Sequence, residues 1–529
     1  MKRIRSQIYL LLLLLSTFTS CKKYLDVNEN PNSATEVSPN LVLPQALVYT
    51  ASTLGVSFHD YGSWQAGYFA NAGGFGGWGA TITYDYTTGS FTGLWSSTYD
   101  NLEDYEYILT TTDNNDTLAY FNAVARIMKA FNFQLLVDEY NDVPYSEALK
   151  GEGGLTPAYD NAKDIYASLA NQLDQAVATI NNAKFPNALG TADVVFGGNM
   201  TSWKKFANTL KLKLWIRAFG EGVFTGTPTF TNDGFLTDDA LVNPGYAKQA
   251  GQQNPLWNTY HSSATGAQAG SGRSRIPSYW IVTFYDGTKL EDFGRGDVIF
   301  RGFKNGVYPP RNQLGNTTSS AQAAPSDNTS WYTEAVNYAN STNSVGVLKG
   351  PSQGQPLILG AESYLLQAEA VLKGLIPGNA KTLFEQGITA SFNYLYKGVD
   401  GKLATGYNPV TAAADYLAIN SASKLANFDL AVTDEEKLEA IITQKYIAFN
   451  MIDGREAWAE FRRTGYPRIS NALPLNQYAT FVSTVSSATT TDKLPGRILY
   501  PTNEFQLNPE FVPDGITVFG SYVFWDRRN

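Results

Sequence analysis

Apolar residues recur along most of this chain at spacings of three and four. Phe121, Val124, Met128, Phe131 and Leu135 form one such stripe, and Ile165, Leu169, Leu173, Val177 and Ile180 form another. Both place their apolar side chains on a single helical face. Trp203, Phe206, Leu210, Leu214 and Phe219 mark a third helix, and Leu365, Leu366, Glu369 and Leu372 lie in a fourth. Thr433 before Asp434-Glu435-Glu436 reads as a helix cap with acids in the first turn, followed by Leu438, Ile441, Lys445 and Phe449. The helix that begins near residue 118 should end at Asn141-Asp142-Val143-Pro144. Pro144 has no N–H to donate and disfavours helical geometry in the residue before it. Packed helix pairs are the expected outcome. No clean 34-residue self-similarity is present, so periodicity alone does not establish a helical repeat.

Two long polar, glycine-rich stretches interrupt the helical pattern. One runs from about Gly55 to Gly93 and contains Gly73-Gly-Phe-Gly-Gly-Trp-Gly79, and the other runs from about Thr225 to Pro356. Loops of this length are usually functional or disordered. The density of aromatics in the first argues against disorder. The expected layout is a helical scaffold over about 41–55, 94–220 and 356–465, with a loop-rich ligand region over about 56–93 and 225–355.

The N-terminus has a different pattern. Lys2, Arg3 and Arg5 precede an apolar stretch centred on Leu10 to Leu15, then Phe18-Thr19-Ser20-Cys21. This reads as a secretory signal over 1–20, too short for a stable transmembrane helix. A signal ending in a lone Cys resembles that of bacterial lipoproteins, with Phe18 where Leu is usual, so Cys21 is the expected lipid anchor. An ordinary cleaved signal with a chance free Cys is the alternative. Several acyl chains, at about 0.8 kcal/mol per buried methylene, would hold the chain on a membrane. Residues 21–40, with Asn30-Pro31-Asn32 and Ser38-Pro39-Asn40 as breakers, read as a tether into a single body over 41–529. No later run reaches 18 apolar residues, and the alternating ten-residue strands of a membrane barrel do not recur.

Composition narrows the chemistry. The 529 residues carry 39 Lys+Arg and 48 Asp+Glu, a net charge of −9. Without the signal, 36 basic against 48 acidic residues leave −12. That balance and the lack of basic runs disfavour a nucleic-acid surface. Only two histidines, His59 and His261, and one cysteine are present. A His-rich zinc site, a Cys₄ site and a disulfide framework are thereby excluded, and a Ser/His/acid triad has no recognisable setting. Tyr 32, Phe 29 and Trp 10 supply 13% aromatics. A surface low in charge and rich in such rings suits uncharged, hydroxyl-rich ligands.

Several segments together resemble the SusD/RagB family, the lipid-anchored nutrient-binding proteins of Bacteroidota outer membranes. They begin with Cys21-Lys-Lys-Tyr-Leu-Asp-Val-Asn28 and Leu136-Val-Asp-Glu-Tyr-Asn-Asp-Val-Pro-Tyr-Ser-Glu-Ala-Leu149. Phe196-Gly-Gly-Asn-Met-Thr-Ser-Trp203 running on to Leu212 follows, then Ala361-Glu-Ser-Tyr-Leu-Leu-Gln-Ala-Glu-Ala370. Ile441 to Phe449, Glu456-Ala-Trp458, Arg462-Arg-Thr-Gly-Tyr-Pro467 and Tyr500-Pro-Thr-Asn-Glu504 complete the series in family order. The resemblance implies a mainly α fold, with tetratricopeptide-like helix pairs forming a right-handed superhelical scaffold and a loop-rich region packed on it. It also implies a partner, a SusC-like TonB-dependent outer-membrane transporter over which the protein acts as a lid. These are scaffold motifs and name no ligand. Glu456, Arg462 and Arg463 are expected to be structural ion pairs.

Glycan capture is the reading with a mechanism. An aromatic plane covering 50–100 Å² of a sugar's apolar face yields roughly 1–2.5 kcal/mol at about 25 cal/mol per Å². Two or three platforms give micromolar to millimolar affinity, suited to a ligand that must be handed on. Candidate contacts are Trp64, Trp78, Tyr84, Trp257, Tyr260 and Trp280, with Arg273 and Arg275 as donors. Trp95 and Trp331 are weighed with them; Trp95 and Trp280 adjoin helix starts and read more readily as core. His261 beside Tyr260 is a possible contact or a satisfied loop histidine. Peptide or other non-sugar nutrients are the alternative ligands. A surface-anchored glycan hydrolase would need two carboxylates about 5 Å or 6.5–9.5 Å apart, and Asp138-Glu139, Glu147/Glu152 and Asp238-Asp239 read more readily as caps and solvated faces. The glycine-rich loop lacks a phosphate-binding ending. No cofactor is expected. Asp113-Asn114-Asn115-Asp116 and Asp286 to Asp297 leave a loosely held calcium open, although turns explain these residues as well.

Overall fold

The computed structural model describes residues 37–303, 306–325, 329–331 and 344–528. The signal, the Cys21 anchor and most of the tether lie outside them. Helix α1 (Pro39–Thr53) starts at Ser38, whose hydroxyl accepts from the Asn40 N–H, and passes through a π turn (Leu54–Phe58) into α2 (His59–Gln65). This continuous run is long and apolar enough to span a bilayer, with mean hydropathy 1.4, although polar residues interrupt its apolar stretches. Its Leu43, Leu47, Ala51, Phe58 and Trp64 are nevertheless buried in the protein core, and Thr50 hydrogen-bonds to Tyr105 and Asn132.

Helices α3 (Thr92–Thr111), α4 (Ala119–Tyr140), α5 (Ala162–Asn182) and α6 (Met200–Arg217) pack each on the next. A second series, α7 (Gly360–Leu372), α8 (Ala380–Tyr396), α9 (Pro409–Ile419), α10 (Asp434–Phe449) and α11 (Gly454–Thr464), joins the first where α7 contacts α6. This is the tetratricopeptide-like helical architecture expected from the resemblance. Thr433 and Glu436 form a reciprocal capping box at α10. Helix α4 ends at Tyr140, with Asn141 at φ +64°. Helix α6 stops at Arg217, so Phe219 falls outside the stripe assigned to it and lies under the Lys373 ammonium. Where α2 crosses α11, a Cβ on Gly62 would strike the Gly454–Arg455 backbone, and one on Gly454 would strike Ser63.

Charges are concentrated at the centre of the scaffold. Asp138, Glu139, Glu362, Glu369, Glu456 and Glu460 are buried with Lys213, Arg217, Lys445, Arg455, Arg462 and Arg463. Arg217 bridges Asp138 and Glu456. Arg463 grips Glu369 with two bonds of 2.7 and 2.8 Å and reaches Glu460 at 2.5 Å. Arg462 meets Glu139 at 3.1 Å. This explains Glu369 inside an apolar stripe, and it makes Glu456, Arg462 and Arg463 structural ion pairs. Burial raises the Glu460 carboxyl, but Arg463, Lys445 and Arg217 outweigh it and hold the group at about 2.

Three two-stranded antiparallel sheets tie the loops down. β1 (Phe69–Asn71), β2 (Val143–Pro144), β3 (Tyr159–Asp160), β4 (Ala240–Val242), β5 (Arg275–Pro277) and β6 (Gln355–Ile358) pair as β1–β5, β2–β3 and β4–β6. In the first pair Phe69 faces Pro277 and Asn71 faces Arg275, so the two polar stretches of the sequence are zipped together. The second stretch also holds short helices at Pro255–Tyr260, Tyr279–Val282 and Phe293–Ile299, whose Trp257, Tyr260, Trp280 and Ile299 enter the core. Reading it as loop undercounted its packing.

Candidate functional site

Most of the aromatic candidates turn inward. Asp60 on α2 accepts the Tyr260 hydroxyl at 3.0 Å and the Trp64 indole N–H at 3.3 Å, and it pairs with Arg275. The Arg275 guanidinium lies 5.5 Å from the Trp64 ring centre. Trp64, Tyr260 and Arg275 therefore form one knot that fixes β5 against α2. Trp257 stacks on His261 at 3.9 Å. The Trp280 N–H donates to the Tyr446 hydroxyl at 3.1 Å, with Lys289 over its ring. The Tyr84 hydroxyl accepts from the Ser483 N–H. Trp95 and Trp331 are also buried. The structure thus differs from the expectation of open platforms at Trp64, Tyr84, Trp257, Tyr260 and Trp280, because each ring packs into the main hydrophobic core and finds a partner there. Of the eight candidates only Trp78, Arg273 and Arg275 reach solvent. Burial also holds His59 and His261 neutral, each lowered to about 4.

The solvent-facing rings lie on a rim built from three segments. Gly74, Gly77 and Gly79 have φ of +82°, +78° and +43°, with open space where a side chain would stand. Only glycine takes these angles without strain, and the resulting turn projects Phe75, 36% exposed, beside a half-buried Trp78. Trp78 rests edge-on against Trp64 at 5.6 Å and donates its N–H to the Phe75 carbonyl at 3.1 Å. The ring is braced from behind with its polar atom satisfied.

Gly73 donates to the Gln322 carbonyl, and the Gln322 side chain accepts from the Arg311 N–H and donates to the Tyr279 hydroxyl. The Arg311 guanidinium sits 4.2 Å from the Tyr308 ring centre and 5.4 Å from that of Tyr279. Tyr279 meets Tyr478 edge to face at 5.6 Å. Tyr308 and Tyr478 are 41% and 42% exposed. Tyr279, Tyr308, Arg311 and Tyr478 were not singled out from the sequence. Tyr308-Pro309-Pro310-Arg311 was the available signal, since consecutive prolines stiffen the segment between ring and guanidinium. Tyr478 lies beyond the expected ligand region, yet Gln313 and Leu314 hold its segment through bonds to Val482 and Thr484.

A cleft of about 300 Å³ beside the Asp60–Arg275 pair is lined by Val56, Asp60, Phe91, Thr259 and Arg275. Glu152, considered with Glu147, has a side chain outside the described ones, and the other carboxylates considered for hydrolysis or calcium have structural work. Asp138 and Glu139 belong to the ionic centre, Glu147 accepts from Ala158 N–H, and Asp239 accepts from Gly360 N–H. Asp116 holds the amides of Lys184 and Phe185, and Asp292 pairs with Arg295. Among the described residues no three His, Cys, Asp or Glu side chains cluster as metal ligands.

The helical scaffold places the chain in one class of outer-membrane proteins. The chain belongs to the SusD/RagB family: residues 31–223 match the model described as SusD-like, starch-binding and associating with the outer membrane, and residues 316–522 match that of the SusD and RagB outer-membrane lipoproteins. Among solved structures it is similar to a SusD homologue from Bacteroides fragilis (23% identity, TM-score 0.63, 93% of this chain and 99% of that one). A chitin-binding SusD homologue from Flavobacterium johnsoniae (22%, 0.65, 92% and 98%) and a SusD/RagB family protein from Bacteroides thetaiotaomicron (17%, 0.67, 93% and 99%) share the fold. No curated protein matches the sequence.

Proposed function

We propose that the chain is a non-enzymatic surface lipoprotein, anchored through Cys21, that captures an oligosaccharide and delivers it to a SusC-like TonB-dependent transporter. The observation that carries this reading is the rim: Phe75 and Trp78 on a glycine-framed turn, with Arg311 stacked between Tyr308 and Tyr279. Flat rings cover the apolar faces of sugars and the guanidinium donates to hydroxyls. Platforms worth roughly 1–2.5 kcal/mol each hold a ligand without trapping it. The chitin-binding activity named for the Flavobacterium relative supports a polysaccharide ligand. The carboxylates are engaged in caps and ion pairs, which favours capture over hydrolysis. Affinity electrophoresis through gels containing single polysaccharides tests this. Retardation on one glycan, weakened in Trp78→Ala, is expected, with no reducing sugar released. Retardation by peptide mixtures alone or release of reducing sugar would overturn it.

A further inference from the structure

A second cavity, of about 860 Å³, opens where the C-terminal segment folds back on the scaffold, and it shares no residue with the rim. Its volume falls within the roughly 300–1,000 Å³ of small-molecule sites. One wall is rigid. Arg528 donates to Asp492 at 2.9 Å, to Asp526 at 3.0 and 2.8 Å, and to the Pro495 carbonyl at 3.1 Å, while its guanidinium lies 4.9 Å from the Trp458 ring centre. Asn471 donates to the Asp492 carbonyl at 2.6 Å and accepts from Thr480. The opposite wall is open: Phe519 and Tyr522 are half-exposed rings, and Thr489 and Thr491 are exposed on an adjacent turn. Neither threonine hydroxyl nor the Tyr522 hydroxyl bonds to another described residue.

We infer that this cavity is a second binding site for neutral saccharide, separate from the rim. Its cation is already compensated by two carboxylates, so a phosphate or uronate finds no unpaired positive charge. The Asp492 carboxylate keeps spare acceptor capacity, three hydroxyls are free to donate and accept, and two rings present apolar faces. That combination matches a polyol ring with C–H faces and a hydroxyl equator. Two sites on one chain also raise the apparent affinity for a long polysaccharide, because the second contact becomes intramolecular.

The test uses the full chain in affinity electrophoresis on starch, glycol chitin, xyloglucan, mannan and pectin. Tyr522→Ala should weaken retardation on the retarding glycan about fivefold, one platform's worth. Thr489→Val with Thr491→Val, which leaves volume and fold intact, should weaken it about twofold. A Phe75→Ala/Trp78→Ala protein should keep residual retardation that disappears when Tyr522→Ala is added. Full retardation of all pocket variants on every polysaccharide would overturn the second site and leave the rim reading standing. Loss confined to the pocket variants would support the cavity and remove the rim. No retardation of the parent on any polysaccharide overturns both.

Discussion

In the ionic centre twelve charged side chains are almost completely buried and pair with one another, whereas on the rim a handful of aromatic rings reach solvent. Both regions break the usual partition of polar outside and apolar inside. The centre can do so because Arg217, Arg462 and Arg463 each find a carboxylate across a helix boundary, which locks the scaffold in one arrangement. The rim can do so because Gly74, Gly77 and Gly79 take backbone angles that project the turn outward, and Trp64 and the β1–β5 pair brace it from behind. Rigidity is built in the first region and used in the second.

The comparison breaks most visibly if the centre is attacked. Arg217→Ala strands Asp138, while Glu456 keeps Lys213 and Arg455, and should cost about 3–5 kcal/mol in urea unfolding, since an uncompensated buried charge is left behind. Acid should act in the same place. Glu460 binds a proton near 4.5 when unfolded but only at about 2 when folded, so its contribution of about 3 kcal/mol is present above pH 4.5 and is lost as pH falls towards 2. His59 and His261, lowered by burial from 6.5 to about 4, add losses of the same sign as pH falls from 6.5 to 4. Glu139, raised by burial to about 7, works the other way between 4.5 and 7, and Glu362, Asp239 and Asp292, also raised by burial, share its sign. At Glu456 burial is outweighed by Arg217 and Lys213, which hold the carboxyl well below its usual range and add to the loss. Urea midpoints measured from pH 7 to pH 3 should therefore decline throughout the lower half of that range. The rim should respond in reverse: Phe75→Ala and Trp78→Ala each weaken glycan binding by about 1–2.5 kcal/mol in titration calorimetry while the melting temperature holds. The smallest effect separates stability from binding. Thr433→Ala removes the α10 cap for about 1 kcal/mol and leaves glycan affinity unchanged.

The helices were legible because amphipathic stripes at 121–135 and 165–180 repeat with helical period, and the α10 cap was legible because Thr433 and Glu436 are local partners. The aromatic assignment was only partly legible. Trp78 was visible through its glycines, but the inward turn of Trp257, Tyr260 and Trp280 depends on Asp60, His261 and Tyr446, of which Asp60 and Tyr446 lie far away in sequence. The same holds for the rim residues Tyr279 and Tyr478, which are 199 positions apart and meet only because two irregular segments fold side by side. Periodicity reports local burial. It carries no record of which distant loop will cover a ring.

Mild oxidation of the intact protein, read residue by residue by mass spectrometry with and without the retarding polysaccharide, tests the central claim most directly. Eight of the ten tryptophans are buried, leaving Trp78 on the rim and Trp215 on the scaffold partly open. The account predicts that Trp78 and Trp215 oxidise in the free protein, and that the polysaccharide protects Trp78 while Trp215 reacts as before. Unchanged oxidation of Trp78 under saturating glycan would contradict it.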